Sequence, residues 1–303
     1  MGRFLVRQLL LAIVVAISVS LIGFAMLRLS GDLAQRIVGP EATAEQVEIV
    51  RKAYGLDKPV VVQYLNWAGD VLHGDFGRSF FYNAQVSQLI AERLPVTMTL
   101  GVIGLLIALL LAIPLGILAA VHAGSWLDRL ALTGAVIGQA MPSFWIGLLL
   151  ILLFGLQLGW LPVSGTDDWQ GYVMPSIVLG LYAAPALMRL TRSGMIDVLR
   201  ADYIRTARAK GLRPVTVVLK HGLRNALIPV VSIAAVQLGL LMGGSVVVES
   251  VFSVHGLGYL AWESISRADF PVVQSIVLTL AILYVGLVFL SDVLNALLDP
   301  RLR

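Results

Sequence analysis

Asp202 to Pro229, DYIRTARAKGLRPVTVVLKHGLRNALIP, is the longest strongly polar stretch in the second half of an otherwise apolar chain. Tyr203, Ile204, Ala207 and Gly211 recur at helical spacing on one face, while Arg205, Arg208 and Lys210 take other faces. Gly211 suits the left-handed residue that closes a helix. Pro214 blocks continuation and can open a second helix, as Pro229 can open the next apolar run. The chemistry this permits is recognition, with no bond made. A small-faced helix lets another surface approach closely, and basic flanks favour an acidic partner or lipid head groups. An ordinary positively charged loop between membrane spans has the same composition.

Inside the apolar runs stand Gln139, Ser143 and Gln237, which suit a polar pathway or hydrogen bonds between helices. Glu249 closes one such run. It reads either as a gate residue or as a hydrogen-bonded carboxylate at the interface. Asp292 lies near the end of the last run, where an arginine of the Asp202 to Pro229 elbow would serve as its partner. His73, His122, His221 and His255 lack metal-ligand spacing, although His73 and His255 could meet on one side. There is no cysteine, no G-x-S-x-G elbow, no H-E-x-x-H pair and no G-x-x-x-x-G-K-[ST] phosphate loop. Disulfides, thiolate chemistry, familiar intramembrane hydrolysis and ATP binding within this chain all lack their residues.

The elements that must carry these groups are membrane helices. Hydrophobic residues make up 58% of the 303 residues. Soluble domains hold about 45–50%. Val102 to Leu118 and Leu148 to Leu158 carry no charge. The chain therefore reads as an all-α integral membrane protein of about six spans. Its net charge of +4 sits largely in the elbow and is no sign of nucleic acid. Residues 1–29 form a first span behind Arg3 and Arg7, too long for a signal core of about 7–15 residues. Residues 30–93 form a helical insertion on the outer side. It holds a helix over Thr43 to Tyr54, with Thr43 and Gln46 as a capping box, and another over Val60 to Leu72.

Residues 94–298 form the core. Its spans are Pro95 to Val121, Leu130 to Leu158, Val173 to Leu190, Leu227 to Val248 and Val272 to Leu298. Met141-Pro142-Ser143 interrupts the second of these, Pro185 is expected to kink the third, and Gly239, Gly243 and Gly244 suggest close helix packing in the fourth. The loop 191–226 is strongly basic and is placed in the cytoplasm, as are both termini and the tail 299–303. The turn Gly159 to Tyr172 has Asp167 and Asp168 and no basic residue, so it is placed outside.

Arg205-Thr206-Ala207, Gly211 and Ile228-Pro229 resemble the Glu-Ala-Ala coupling loop of ABC importer permeases, with the first two motif positions changed. The rest of the chain resembles the peptide and nickel branch of that family. The matches are Ser30-Gly31-Asp32, Tyr54-Gly55-Leu56-Asp57-Lys58-Pro59, Gly74-Asp75-Phe76-Gly77-Arg78-Ser79, Leu94-Pro95-Val96-Thr97, Pro142-Ser143-Phe144-Trp145, Gly159-Trp160-Leu161-Pro162, Glu249-Ser250-Val251-Phe252 and Asp299-Pro300-Arg301. Val254-His255 departs from the branch, which commonly has proline before Gly256.

The resemblance implies a type I permease fold and a transport subunit of a peptide or related small-solute importer in a bacterial cytoplasmic (inner) membrane. It implies no cofactor in this chain, with ATP and Mg on partner subunits. It also implies a second homologous permease, two ATPase subunits, an extracytoplasmic solute-binding protein and membrane lipid as partners, and no nucleic acid. Tyr203, Arg205, Ala207 and Gly211 would couple to the ATPase, and Gln139, Ser143, Gln237 and Glu249 would belong to the pathway or gate. A stand-alone carrier or channel is the rival class; it would work without ATPase subunits.

Overall fold

The computed structural model describes residues 2–29, 31–39 and 41–298, and no strand occurs among them. Ser30 and the tail 299–303, with the Asp299-Pro300-Arg301 match, lie outside the described residues.

Helix α1 (Gly2–Leu29) is apolar over Val6–Met26 and leads into the insertion. There α2 (Leu33–Val38), α3 (Ala44–Ala53) and α4 (Val60–Leu72) follow one another. The Thr43–Gln46 capping box forms as the sequence implies: each side chain bonds the other's backbone N–H. Helix α4 packs on α1 through Phe24, which meets Tyr64 and Trp67, and the Arg28 guanidinium donates to Gln63.

Helix α5 (Val86–Val121) has 36 residues. At 1.5 Å each it is about 54 Å long, well beyond the ~30 Å hydrocarbon core. It starts nine residues before Pro95, the expected start of that span. Val86, Leu89 and Ile90 bury themselves against Leu257, Leu260, Val272 and Ile276, which sustains the extra turns. The boundary drawn at residue 94 therefore falls inside one helix.

The next crossing is broken. Helix α6 (Trp126–Ala140) and α7 (Ser143–Leu150, continued by a π-helical segment Ile151–Gln157) meet at 95°. Met141 is extended because the residue before a proline avoids helical geometry, and Pro142 then precedes the restart. Helix α8 (Val173–Leu199) runs unbroken through Pro185 and nine residues past the expected end at Leu190. Arg192 is neutralised there by Asp128, and Met195 packs with Ala120 and Ala226, so the added turns carry little solvation cost.

The elbow consists of α9 (Asp202–Ala209), α10 (Pro214–Thr216), a π-helical segment Val217–Leu223, and α11 (Arg224–Ala226). Then come α12 (Ile228–Val251), α13 (Leu257–Ser266) and α14 (Phe270–Leu298). Among the described residues five helices are long and apolar enough to span a membrane, or six crossings if the bent pair counts as one.

The centre of the bundle is the seam between α5 and α8. A Cβ on Gly104 would lie 2.9 Å from Leu179, and one on Gly116 would lie 2.7 Å from Thr191. Only glycine permits that approach. In lipid, such close packing substitutes for a hydrophobic drive between helices. Leu100, Val178 and Leu187 fill the same core. The insertion is fastened to the bundle at one end, where the Asp269 carboxylate accepts from the Ser79 hydroxyl and from the Phe80 and Phe81 amides. The elbow occupies the other end.

Candidate functional site

A cavity of about 890 Å³ lies among α1, the α6–α7 break, α8, α12 and α14. Gln139 and Ser143 reach it from the two sides of the break, and Gln237 reaches it from α12. Proline at 142 ends one helix and starts the other, so both polar residues fall at one corner. Tyr182 and Tyr284 complete the polar lining, and none of the lining side chains is charged. The rest is aliphatic or glycine. Amides and hydroxyls over an apolar wall can exchange hydrogen bonds with a neutral polar backbone while holding no fixed charge.

Gly243 and Gly244 line this cavity and have open space above them, so they are not packing positions. Gly239 alone of that trio meets a neighbour closely: a Cβ there would lie 2.5 Å from the Tyr284 ring. Tyr182 and Tyr284 were missed in the sequence. Tyr182 and Ala186 share a helical face, a signal that could have been read; Tyr284 sits in a uniformly apolar run and gives none.

Glu249 does not line the cavity. It is fully buried at the insertion end. One carboxylate oxygen accepts from Thr97 Oγ1 at 2.8 Å and Ser245 Oγ at 2.7 Å, and the other accepts from the Tyr259 amide at 2.8 Å. Thr97 Oγ1 in turn accepts from the Leu257 amide at 2.8 Å. The carboxylate thus serves the first turn of α13, whose N–H groups have no helical acceptor. Of the two sequence readings, the geometry matches the hydrogen-bonded carboxylate.

In the elbow, Gly211 has φ +74°, the left-handed turn expected of it. Tyr203 is exposed, and its hydroxyl accepts from Asn225 Nδ2 at 2.8 Å. Arg205 is exposed and pairs with Asp202 one turn back. Ala207 departs from expectation. It faces inward with Ile204, and both pack on Val217 beside Val198 and Leu199. Its small size lets α9 seat on its own chain, so it is not part of a free docking face. The outward surface is formed by Tyr203, Arg205, Arg208, Lys210 and Gly211.

Two further polar contacts brace the bundle. Arg192 Nε and Nη2 each donate to Asp128 at 2.6 Å, which ties α8 to the start of α6. Asp292 pairs with Gln8 of α1, not with an elbow arginine. Gln8 and Asp292 are 284 residues apart in the sequence, and only the fold brings them together. His73 bonds its own helix and His255 stacks on Tyr259; among the described residues no group of three His, Asp or Glu could hold a metal.

Residues 112–303 match the family described as binding-protein-dependent transport system inner membrane component, and residues 1–101 match the N-terminal family of such membrane components. The glutathione transport system permease protein GsiC of Salmonella typhimurium is 43% identical over 304 residues, covering 100% of this chain and 99% of the relative. GsiC of Escherichia coli K12 is 42% identical over the same span. An inward-facing structure of the MetNI methionine ABC transporter aligns with a TM-score of 0.61 at 21% identity, over 70% of this chain and 97% of that chain. The last likeness concerns fold alone, whereas the family models and GsiC cover nearly every residue. The chain belongs to the binding-protein-dependent transport inner membrane components: it is a membrane-spanning permease subunit of an ABC importer, a transport protein and not an enzyme.

Proposed function

We propose that this subunit passes peptides, or a small solute of peptide chemistry, through the cavity at the α6–α7 break. The observation that carries this reading is the lining itself. Gln139, Gln237, Ser143, Tyr182 and Tyr284 offer donors and acceptors without charge. A volume of about 890 Å³ also falls in the range of small-molecule pockets, about 300–1,000 Å³. Neutral groups that match amide bonds let a peptide bind weakly enough to leave. The GsiC relatives, named for glutathione transport, favour the same solute chemistry.

In this reading the subunit works in a bacterial cytoplasmic membrane beside a second homologous permease, two ATPase subunits that carry ATP and Mg, and an extracytoplasmic solute-binding protein. The basic elbow and both termini face the cytoplasm. The exposed face of α9, with Tyr203, Arg205 and Gly211, docks on an ATPase, and Ala207 fastens α9 to the end of α8. Movement of α9 then reaches the cavity wall as a rigid displacement.

The test is reconstitution of this chain with its genomic partners in proteoliposomes, with ATP on the elbow side. Labelled dipeptide and glutathione should accumulate only when ATP is hydrolysed. Uptake without the ATPase subunits, or driven by a proton gradient alone, would sink the proposal.

A further inference from the structure

Arg189 reaches the wall of the cavity. Its Nη1 donates to the Gln139 side-chain oxygen at 3.1 Å, and Gln139 lines the cavity. Tyr182, Ala186 and Arg189 fall at helical spacing i, i+4, i+7 on α8, and the first two line the cavity as well. Three residues of helix rise place Arg189 about 4.5 Å beyond Ala186, toward the elbow. It therefore stands on the elbow side of the cavity, the inner side in the reading above.

Its neighbour Arg192 is spent: both ends of its fork are held by Asp128. Among the described residues Arg189 has no carboxylate partner. One of its five N–H groups is used on Gln139, and the others remain available. That same bond orients the amide. The Gln139 oxygen faces the guanidinium, so its NH₂ group points elsewhere and has no protein acceptor among the described residues. The guanidinium N–H groups not used on Gln139 are a donor set for one planar, negatively charged group, and the neighbouring amide NH₂ adds a further donor.

We propose that Arg189 and Gln139 form a carboxylate station at the inner mouth, which takes the C-terminal carboxylate of a passing peptide. The inference rests on the peptide reading above. A carboxylate crossing a cavity with no cationic side chain exchanges its water for neutral donors alone until it meets the guanidinium. The station thus sets both the direction in which a peptide threads and the preference for a free carboxyl end.

The experiment uses the whole reconstituted complex with two labelled probes, alanyl-alanine and its C-terminal amide. Arg189→Gln should lower uptake of the free acid about tenfold more than uptake of the amide, the scale of one charge-assisted hydrogen bond lost. Arg189→Lys, which keeps the charge, should recover most of that difference. Co-purification with the partner subunits reports assembly of each variant. If the wild-type complex imports both probes and Arg189→Gln lowers them alike, or if Arg189→Lys is as selective a loss as Arg189→Gln, the station is refuted alone. If the wild-type complex imports neither, the peptide reading falls and takes the station with it.

Discussion

Glu249→Ala tests how the insertion end is held, and its cost can be worked from the bonds it breaks. The carboxylate receives Thr97, Ser245 and the Tyr259 amide. Ser245 Oγ also lies 2.9 Å from the Met242 carbonyl, so that hydroxyl keeps an acceptor. The Thr97 hydroxyl can turn to a carbonyl of its own helix. The Tyr259 N–H cannot turn, because it belongs to the first turn of α13. One buried orphan donor costs about 1–3 kcal/mol. With the lost packing of the carboxylate, the total comes to about 2–4 kcal/mol. Glu249→Gln keeps the shape and can aim its oxygen at Tyr259, so it should cost only about 1 kcal/mol.

Gly256 supplies an internal check. A Cβ there would lie 2.5 Å from Thr97 Oγ1 and 2.6 Å from a Glu249 oxygen, inside the same knot. Gly256→Ala should therefore be damaging alone, and less so when Glu249 is already alanine, since half of the clash has gone. Thermal unfolding of the purified complex and amide exchange at residues 257–260 measure these effects. The expected order of stability is wild type, Glu249→Gln, then Glu249→Ala, with protection at 257–260 falling in step. A Glu249→Ala protein as stable and as protected as wild type would refute this role of the carboxylate, and so would strictly additive losses in the double variant.

Asp269→Ala removes the acceptor for Ser79, Phe80 and Phe81 and should release residues 79–82 from the bundle at a local cost of about 2–4 kcal/mol; limited proteolysis there should accelerate, and unchanged cleavage would count against the clip. Gly211→Val forces a branched side chain to φ +74° and should displace the end of α9, leaving membrane insertion intact while ATP hydrolysis in the complex no longer yields uptake; normal uptake per ATP would argue against the lever. The Tyr82–Glu263 contact should be indifferent to pH near neutrality. The Tyr82 hydroxyl, and then Arg267, hold the Glu263 carboxyl below its usual range, so its contribution is present above about pH 4.3 and is lost only as pH falls through the lower folded value. Burial, and then Glu263, push the Tyr82 hydroxyl up, so the phenol keeps its proton past its usual range. Protection factors at residues 80–83 should stay flat from about pH 6 to pH 9 and fall below about pH 4.

What could be read from the sequence was what is decided locally. The Thr43 cap, the bounds of α4, the Met141-Pro142 break and the Gly211 turn each depend on a few adjacent residues, and each appears where expected. Ala207 went wrong because helical spacing shows a face without showing what covers it; Val217, ten residues on, reaches it first. Glu249 admitted two readings because its donors come from positions 97, 245 and 259. Arg189 carries no mark in the sequence, where it is one of nine lysines and arginines between positions 189 and 224. Only the contrast with the paired Arg192 sets it apart.

The glycines of α5 bear on how a push from the elbow would reach the solute. Gly104 and Gly116 bring α5 against α8 at two levels, with Leu179 and Thr191 as their close neighbours. At one end of α8, Val198 and Leu199 receive α9 through Ile204 and Ala207. Nearer its middle, Tyr182 and Ala186 line the cavity. A displacement applied at Leu199 cannot be absorbed by sliding between α8 and α5, because any shift drives side chains into backbone at both glycines. The two helices must move as one body. The opposite wall differs: α6 and α7 already part by 95° at Met141-Pro142, where the Met141 amide closes α6 on the Ile137 carbonyl and Pro142, having no N–H, interrupts the ladder. In the proposed cycle the rigid wall therefore carries Tyr182 and Arg189 past Gln139 and Ser143, and the change of access is concentrated at the corner where those polar groups meet.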